Sequence, residues 1–374
     1  MNFEEHAAKP LLAAAGIATP RGQVARTPDE ASLAAQMLGG PAVVKAQVPA
    51  GKRGKAGGIA LVASPEEARA AAERILGMEI GGHAVEKVLV EEQMVIVHEL
   101  YVAVLNDSST KGPLVMVSTA GGMDIEEIAA RRPEGLLRFP VDIRKGIDEA
   151  TLAARLPEID GVGRAHLADV IQRLYHVYRN TDAELVEVNP LAATKDGRLV
   201  ALDCKFIMDD SGVKRRAEIA AAGAPERLTE LEARAQAQGL RYIELDGTVG
   251  VLANGAGLTM TTMDVIAHLG GRPANFLEIG GEAYTLGKPA LEIVLANPRV
   301  RSLVVNFCGA FARTDVMVGG ILDAWDAVKP AVPVFFTIHG TGEDEAVALV
   351  RERLGLEPYE RMDDAVRAAV EAAR

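Results

Sequence analysis

Cysteine is scarce in this chain. The two present, Cys204 and Cys308, lie far apart and form no CxxC pair. That argues against a disulfide framework and a zinc site, and it fits a reducing cytoplasm. Aromatic residues are few, at 4%, whereas 49% of residues are apolar and alanine and valine abound, the make-up of a soluble α/β enzyme. No apolar stretch approaches the ~20 residues that a membrane span needs, so a membrane is not an expected partner. The opening MNFEEHAAKPLL has no basic segment leading into an apolar run, so no signal peptide is expected. Excess positive charge is also missing. The formal net charge is −12 and the pI is near 5.2, which excludes a general nucleic-acid surface. A length of 374 residues is enough for two or three domains.

Against this acidic background, QVPAGKRGKAGG (Gln47 to Gly58) gathers Lys52, Arg53 and Lys55 on glycine-rich backbone. Such a turn lets backbone N–H groups approach an anion while the cations neutralise it. A solvated basic hairpin is the bland alternative. The stretch is neither a Walker A motif nor GxGxxG. Lys45 precedes it among Val43, Val44 and Ala46, which places its ammonium at a partly buried cleft or as an edge-strand lysine that snorkels.

The pattern up to about Arg215 is α+β. A helix is expected from Phe3 to Gly16, with Ala7, Leu11 and Ala14 on its apolar face. Strands are expected at 42–48, 58–62 and 87–92, a capped helix at Ser64-Pro65-Glu66-Glu67, and a hairpin around 106–112. A long helix at 163–178 precedes two strands, 185–188 and 199–203, joined at Asp196-Gly197. Residues 220–238 suit a connecting helix or linker. From Gly247, apolar strands alternate with helices, one of them expected at 315–328, which means a parallel, doubly wound sheet. The expected domains are 1–238, with a lid-like part at about 20–100, and 239–374.

Within LVEVNPLAATKDGRLVALD, Glu187, Asn189 and Asp203 are expected to end adjacent antiparallel strands and to converge. One carboxylate and one amide oxygen, completed by water and phosphate oxygens, can hold Mg²⁺ beside ATP. The alternative is a simple turn at Asn189-Pro190. Glu187 lies among Leu185, Val186 and Val188, where an unpartnered carboxylate is costly, and that favours a function for it. In the second half, VLANGAGLTMTTMD, NFLEIGGEA and VVNFCGAFARTD each read strand, glycine loop, helix. Helix N-termini at strand ends attract anions.

Together with GGMDIEEIA, these segments resemble the β subunit of succinyl-CoA synthetase, the ADP-forming succinate–CoA ligase, and related acid–CoA ligases such as malate–CoA ligase. The likeness covers nearly the whole chain. It implies an N-terminal ATP-grasp fold followed by a flavodoxin-like domain. It also implies a carbon–sulfur ligase of the tricarboxylic acid cycle using Mg²⁺ and ATP, with GTP as the other nucleotide. The implied partner is an α subunit that binds CoA and carries a phosphohistidine. Carried over residue by residue, Lys45, Lys52, Arg53, Gly54, Glu91, Met94 and Glu99 grip the nucleotide, and Asn189 and Asp203 hold the metal. Glu187 meets the partner's histidine, while Asn254 and Ala310, Phe311 and Ala312 bind the carboxylate. The helix expected near Ala310 aims its N-terminus at the phosphohistidine.

Several positions depart from that family. Its Asn-Ile-Phe-Gly-Gly-Ile is here Asn306 to Phe311, its Arg-Leu-Glu-Gly is Thr337 to Gly340, and a glycine before the loop arginine is Lys52. Cys204 replaces a smaller residue, and a charged Asp-Pro-Arg-Glu segment before Gly247 is missing. These changes leave open which acid is used. His339 is expected to be structural or to contact the carboxylate. Two other functions stay on the table, a stand-alone ligase joining a carboxylate to an amine and a non-catalytic nucleotide-binding relative. The flavodoxin-like half argues against the first, and intact Glu187, Asn189 and Asp203 against the second.

Overall fold

Alternating burial along the strands builds the first unit. In the computed structural model, which describes residues 1–123, 125–126, 133–225, 227–280 and 286–374, the chain divides into Met1–Glu226 and Arg227–Arg374. The first unit holds a seven-stranded antiparallel sheet. Its order is Asn2–Phe3, Lys205–Met208, Ala183–Thr194, Ile96–Asp107, Gly112–Ser118 and Leu136–Pro140, with Leu199–Ala201 paired onto Ala183–Thr194. On one face, Val102, Val104, Val186 and Val188 pack beneath Leu167, Ile171 and Leu174 of helix Arg164–Asn180. Tyr101, Ala103 and Leu185 point the other way, as period-two alternation requires. Glu187 pairs with Ala103 and shares that second face.

A smaller four-stranded sheet runs Gly22–Ala25, Val88–Glu92, Ala42–Ala46, Ile59–Val62. Helices Pro28–Leu38 and Pro65–Ile75 cover one face through Ala31, Ala35, Ala68 and Ala72, small residues that allow close packing on Val44, Ala46 and Val90. The Ser64 hydroxyl caps the second helix by accepting from Glu67 N–H, as expected, but Glu67 returns its carboxylate to Ala63 N–H and not to the cap residue itself. With Ala42, Val44 and Ala46 committed to the core, Val43 and Lys45 must project from the opposite face.

The segment 220–238, expected as a connecting helix or linker, holds a short helix preceded by linker. A single turn, Ala217–Ala220, precedes helix Glu230–Ala237, which is closed by a reciprocal Thr229–Glu232 capping box. Pro225 in between has no N–H to continue a helix. Ala235 is fully buried in the second unit's core, so this helix lies in the second unit and the division falls ahead of the expected Gln238.

In the second unit the parallel strands order as Asn275–Ile279, Val249–Asn254, Ser302–Gly309, Val334–Gly340. Leu303, Val305 and Phe307 face one helical layer and Val304 the other, which is the doubly wound arrangement. An antiparallel edge strand, Arg241–Glu244, was not foreseen. The helix that the sequence pattern places at 315–328 runs Thr314–Val328, later than the start near Ala310 that the resemblance implied. The delay has a backbone cause: Thr341 N–H donates to Gly309 C=O and Thr314 N–H to Thr341 C=O, so 310–313 bridge to the neighbouring loop before helix can form. Gly340, at φ 91°, packs where any side chain would strike Gly309. Parts of GGMDIEEIA (124 and 127–129) and of NFLEIGGEA (281–283) lie outside the described residues.

Candidate functional site

One cavity of about 560 Å³ in the first unit is lined by Lys45, Lys52, Arg53, Gly54, Glu91, Met94, Glu99, Glu187, Asn189 and Asp203, which are all the site residues expected in that unit. The small sheet contributes Lys45 and Glu91, and the large sheet contributes Glu99, Glu187 and Asn189. Glu187 and Asn189 lie inside strand Ala183–Thr194 and not at its end, because the strand continues beyond a register shift between Val188 and Leu191. Asp203 follows strand Leu199–Ala201.

Two residues of this site were missed. On the N-terminal helix Glu5–Ala14 the buried residues are Glu5, Ala8, Lys9 and Leu12, and not the expected face of Ala7, Leu11 and Ala14. Hydrophobic periodicity counts charged residues as solvent-facing. The i,i+4 spacing of Glu5 and Lys9 was the one available signal, and it ordinarily marks an exposed pair. Here both side chains are buried, at 1% and 6% exposure.

Glu5 and Lys9 anchor a network of three cations and three carboxylates. The Lys9 ammonium lies 2.7 Å from Glu5 and 2.6 Å from Glu91. Lys45 lies 2.9 Å from Glu5 and 2.7 Å from Glu91, and it donates to Leu202 C=O at 2.5 Å. Arg53 reaches Glu5 at 2.7 Å and Asp203 at 2.6 Å. Burial alone pushes the Glu5 carboxyl up, but Lys45, Lys9 and Arg53 together hold it well below the usual range. Burial works against the charge on Lys45 too, yet Glu5, Glu91 and Asp203 keep its ammonium strongly protonated. Buried charges are tolerable only when paired in this way, and breaking such a pair costs about 3–5 kcal/mol.

The basic loop is more ordered than its composition implies. Gly58 N–H donates to Arg53 C=O and Gly57 N–H to Gly54 C=O, which form a closed turn. Lys52 has φ 63°, in the left-handed region that favours glycine. Of the loop's three cations, Arg53 is buried while Lys52 and Lys55 are exposed.

Across the cavity, Tyr101 donates its hydroxyl to Glu187 Oε2 at 3.1 Å. Burial pushes the Glu187 carboxyl up, against the pull of Lys205 and of the Tyr101 hydrogen bond. Asn189 Oδ1 accepts from Gly122 N–H at 2.7 Å, and its Nδ2 donates to Met123 C=O at 2.9 Å. Among the described residues, no group of three or more His, Cys, Asp and Glu is arranged to cage a metal. One carboxylate and one amide oxygen in a single cavity do suit a hard cation that takes its remaining oxygens from a phosphate ligand and water.

In the second unit, Asn254 ends strand Val249–Asn254 and Cys308 lies at the end of the adjacent parallel strand. The Asn254 side chain accepts from Cys308 N–H at 2.7 Å and donates to Cys308 C=O at 2.8 Å. It therefore clamps the backbone that presents Ala310, Phe311 and Ala312. Phe311 is wholly exposed. His339 stands opposite Cys308 in the next strand, its Nδ1 3.5 Å from Glu343. These residues share the carboxyl edge of the parallel sheet, where ligands bind in such folds.

Residues 2–193 match the ATP-grasp domain family and residues 252–370 the CoA-ligase family. The ADP-forming succinate–CoA ligase β subunit of Rubrobacter xylanophilus is 44% identical over 100% of this chain and 99% of its own length. A β subunit 2 of the same name from Streptomyces coelicolor is 44% identical over 100% and 97%. The GDP-forming β subunit of Thermus thermophilus is 41% identical over 94% and 93%. Among solved structures, ATP citrate lyase from Methanothrix soehngenii superposes with a TM-score of 0.78 at 22% identity, covering 99% of each chain, which speaks to the fold. Among the described residues, no helix is long and apolar enough to cross a membrane.

Proposed function

The chain belongs to the family of succinate–CoA ligase β subunits, and we propose how its own residues divide the work of a nucleotide-dependent acid–CoA ligase. A carboxylate is a poor electrophile towards a thiol. Conversion to an acyl phosphate supplies a good leaving group, and a histidine on a partner α subunit, which also binds CoA, ferries the phosphoryl group. One β chain then needs two anion sites.

Lys45, Arg53 and the turn around Gly54 hold the nucleotide phosphates, and Lys52 adds charge at the rim. Glu91, Met94 and Glu99 complete the nucleotide cleft. Asn189 and Asp203 would hold Mg²⁺, which when bound neutralises phosphate charge and orients the transferring group. Glu187 receives the partner's imidazole by accepting its N–H, and Tyr101 fixes the carboxylate for that contact. Asn254 and the 310–312 loop take the acid. The acid is succinate or a related dicarboxylate, ATP is the preferred nucleotide with GTP as the alternative, and the cytoplasm is the location. The observation that carries this reading is the gathering of every expected nucleotide, metal and transfer residue of the first unit around one cavity.

The test is ADP release by the purified pair of subunits, with acyl-CoA products from a mixture of acids identified by mass spectrometry. Release that depends on both acid and CoA supports the reading. Silence across a broad acid panel, with both subunits folded and paired, defeats it. Turnover without partner or CoA would transfer the chain to the carboxylate–amine ligases.

A further inference from the structure

The phosphate grip assigned above has an unusual foundation. Lys45 and Arg53 sit on a small sheet and its loop, yet both lean on Glu5 of the N-terminal helix, at 2.9 and 2.7 Å. Lys9, one turn along, does not line the cavity but meets Glu5 and Glu91 and donates to Leu202 C=O, the three acceptors that Lys45 also uses. An apolar pair would pack this helix at lower cost, since two charges taken out of water must recover their desolvation from each other. Retained charge at 1% and 6% exposure therefore calls for an electrostatic role.

We propose that Lys9 is a positioning residue for the nucleotide: its ammonium offsets the negative charge of Glu5 and Glu91, so that Lys45 and Arg53, which those carboxylates pair, still present positive charge to phosphate. This rests on the nucleotide reading above. The arithmetic of the cluster is simple. Lys9, Lys45 and Arg53 balance Glu5, Glu91 and Asp203, for a net charge of zero. Without Lys9 the cluster is −1, and both carboxylates bear on Lys45. With Glu5 neutral it is +1. A polyanion must feel these changes with opposite signs, whereas a helix that merely needs its ion pair would suffer from either loss alike.

The experiment is calorimetric titration of the full-length chain with ADP, without metal, for Lys9→Met, Glu5→Gln, the double variant and Lys9→Arg, with thermal unfolding followed in parallel. A unit charge in a weakly screened site shifts affinity on the order of ten-fold. Lys9→Met should therefore weaken ADP by about ten-fold, and Glu5→Gln should not weaken it. The double variant, neutral again, should return towards the wild type, and Lys9→Arg should stay close to it. Equal weakening by both single variants, with the double weaker still, overturns the proposal. Loss in Lys9→Arg as large as in Lys9→Met does the same. If Lys9→Met does not fold, the double variant must bind ADP less tightly than Glu5→Gln alone, and equality refutes the idea. A wild-type chain that ignores ADP brings down the nucleotide reading itself, an outcome distinct from any difference among the variants.

Discussion

Arg53 Nη2 lies 2.6 Å from Asp203 Oδ1, an oxygen that also accepts the backbone N–H of Cys204 at 2.7 Å. The basic loop is thus tied to the carboxylate that we propose as a metal ligand. A cation binding there would share the Asp203 charge with Arg53 and so leave the guanidinium more of its own charge for phosphate. Metal and nucleotide binding should therefore help each other. The Asp203 side chain is 35% exposed and Arg53 keeps Glu5 when it is removed, so the fold should stand at a reduced thermal midpoint. Asp203→Ala is expected to lower Mg-nucleotide turnover by at least about 100-fold while the chain still unfolds cooperatively. Steady-state ADP release and a melting curve would check this, and a variant with full turnover would remove Asp203 from the site.

Glu187→Gln separates catalysis from stability. A carboxyl whose folded pKa is raised weakens the fold when ionised, so its neutral isostere should leave the unfolding midpoint at pH 7 unchanged or higher. Phosphoryl transfer to the partner's histidine should meanwhile fall by about 100-fold or more. A variant that transfers normally, or that unfolds earlier, contradicts the role given to Glu187.

Phe311→Ile should change which acid is accepted. The ring is wholly exposed, so stability should not respond. Relative kcat/KM among short and bulky acids should move by about ten-fold or more, while the nucleotide KM holds. Equal movement of both constants would mean that the two anion sites are not separate.

Glu5 makes stability depend on pH at the acid end. Its folded-state carboxyl titrates below the ordinary 4.5 despite burial, because Lys45, Lys9 and Arg53 surround it. The unfolded chain binds that proton more readily, so stability from Glu5 is complete above about pH 4.5 and drains away as the pH falls through the lower folded value. Urea midpoints taken downwards from pH 5 should fall more steeply for the wild type than for Glu5→Gln. Parallel curves would contradict this.

The two thiols should differ in reactivity. Burial, with Asp203 adding to it, pushes the Cys204 thiol well above its ordinary range, while Cys308 is exposed. A disulfide reagent at pH 8 should label Cys308 quickly and Cys204 only after denaturation. Two fast thiols in the native chain would show that the cavity floor opens to solvent.

Hydrophobic pattern carried much of this molecule. The runs at 249–254 and 302–309 are apolar enough to be buried on both faces, and glycines mark the loops after them, so the parallel sheet and its carboxyl edge were legible. Strand Arg241–Glu244 was not, because a short, polar segment acquires its pairing only from Asn275–Ile279 beside it. Helix Thr314–Val328 was legible too, since the pattern places it at 315–328, but the bond from Thr341 N–H to Gly309 that holds the loop before it is invisible along the chain.

Residue types and their order by themselves supplied a cationic glycine turn, an amide and two carboxylates, chemical capacities that do not depend on where the chain goes. Which cation meets which carboxylate was decided in three dimensions. Glu5 reaches Arg53 across 48 positions and Arg53 reaches Asp203 across 150. Coulomb energy depends on distance and burial, and neither exists until the helix, the small sheet and the large sheet have packed together.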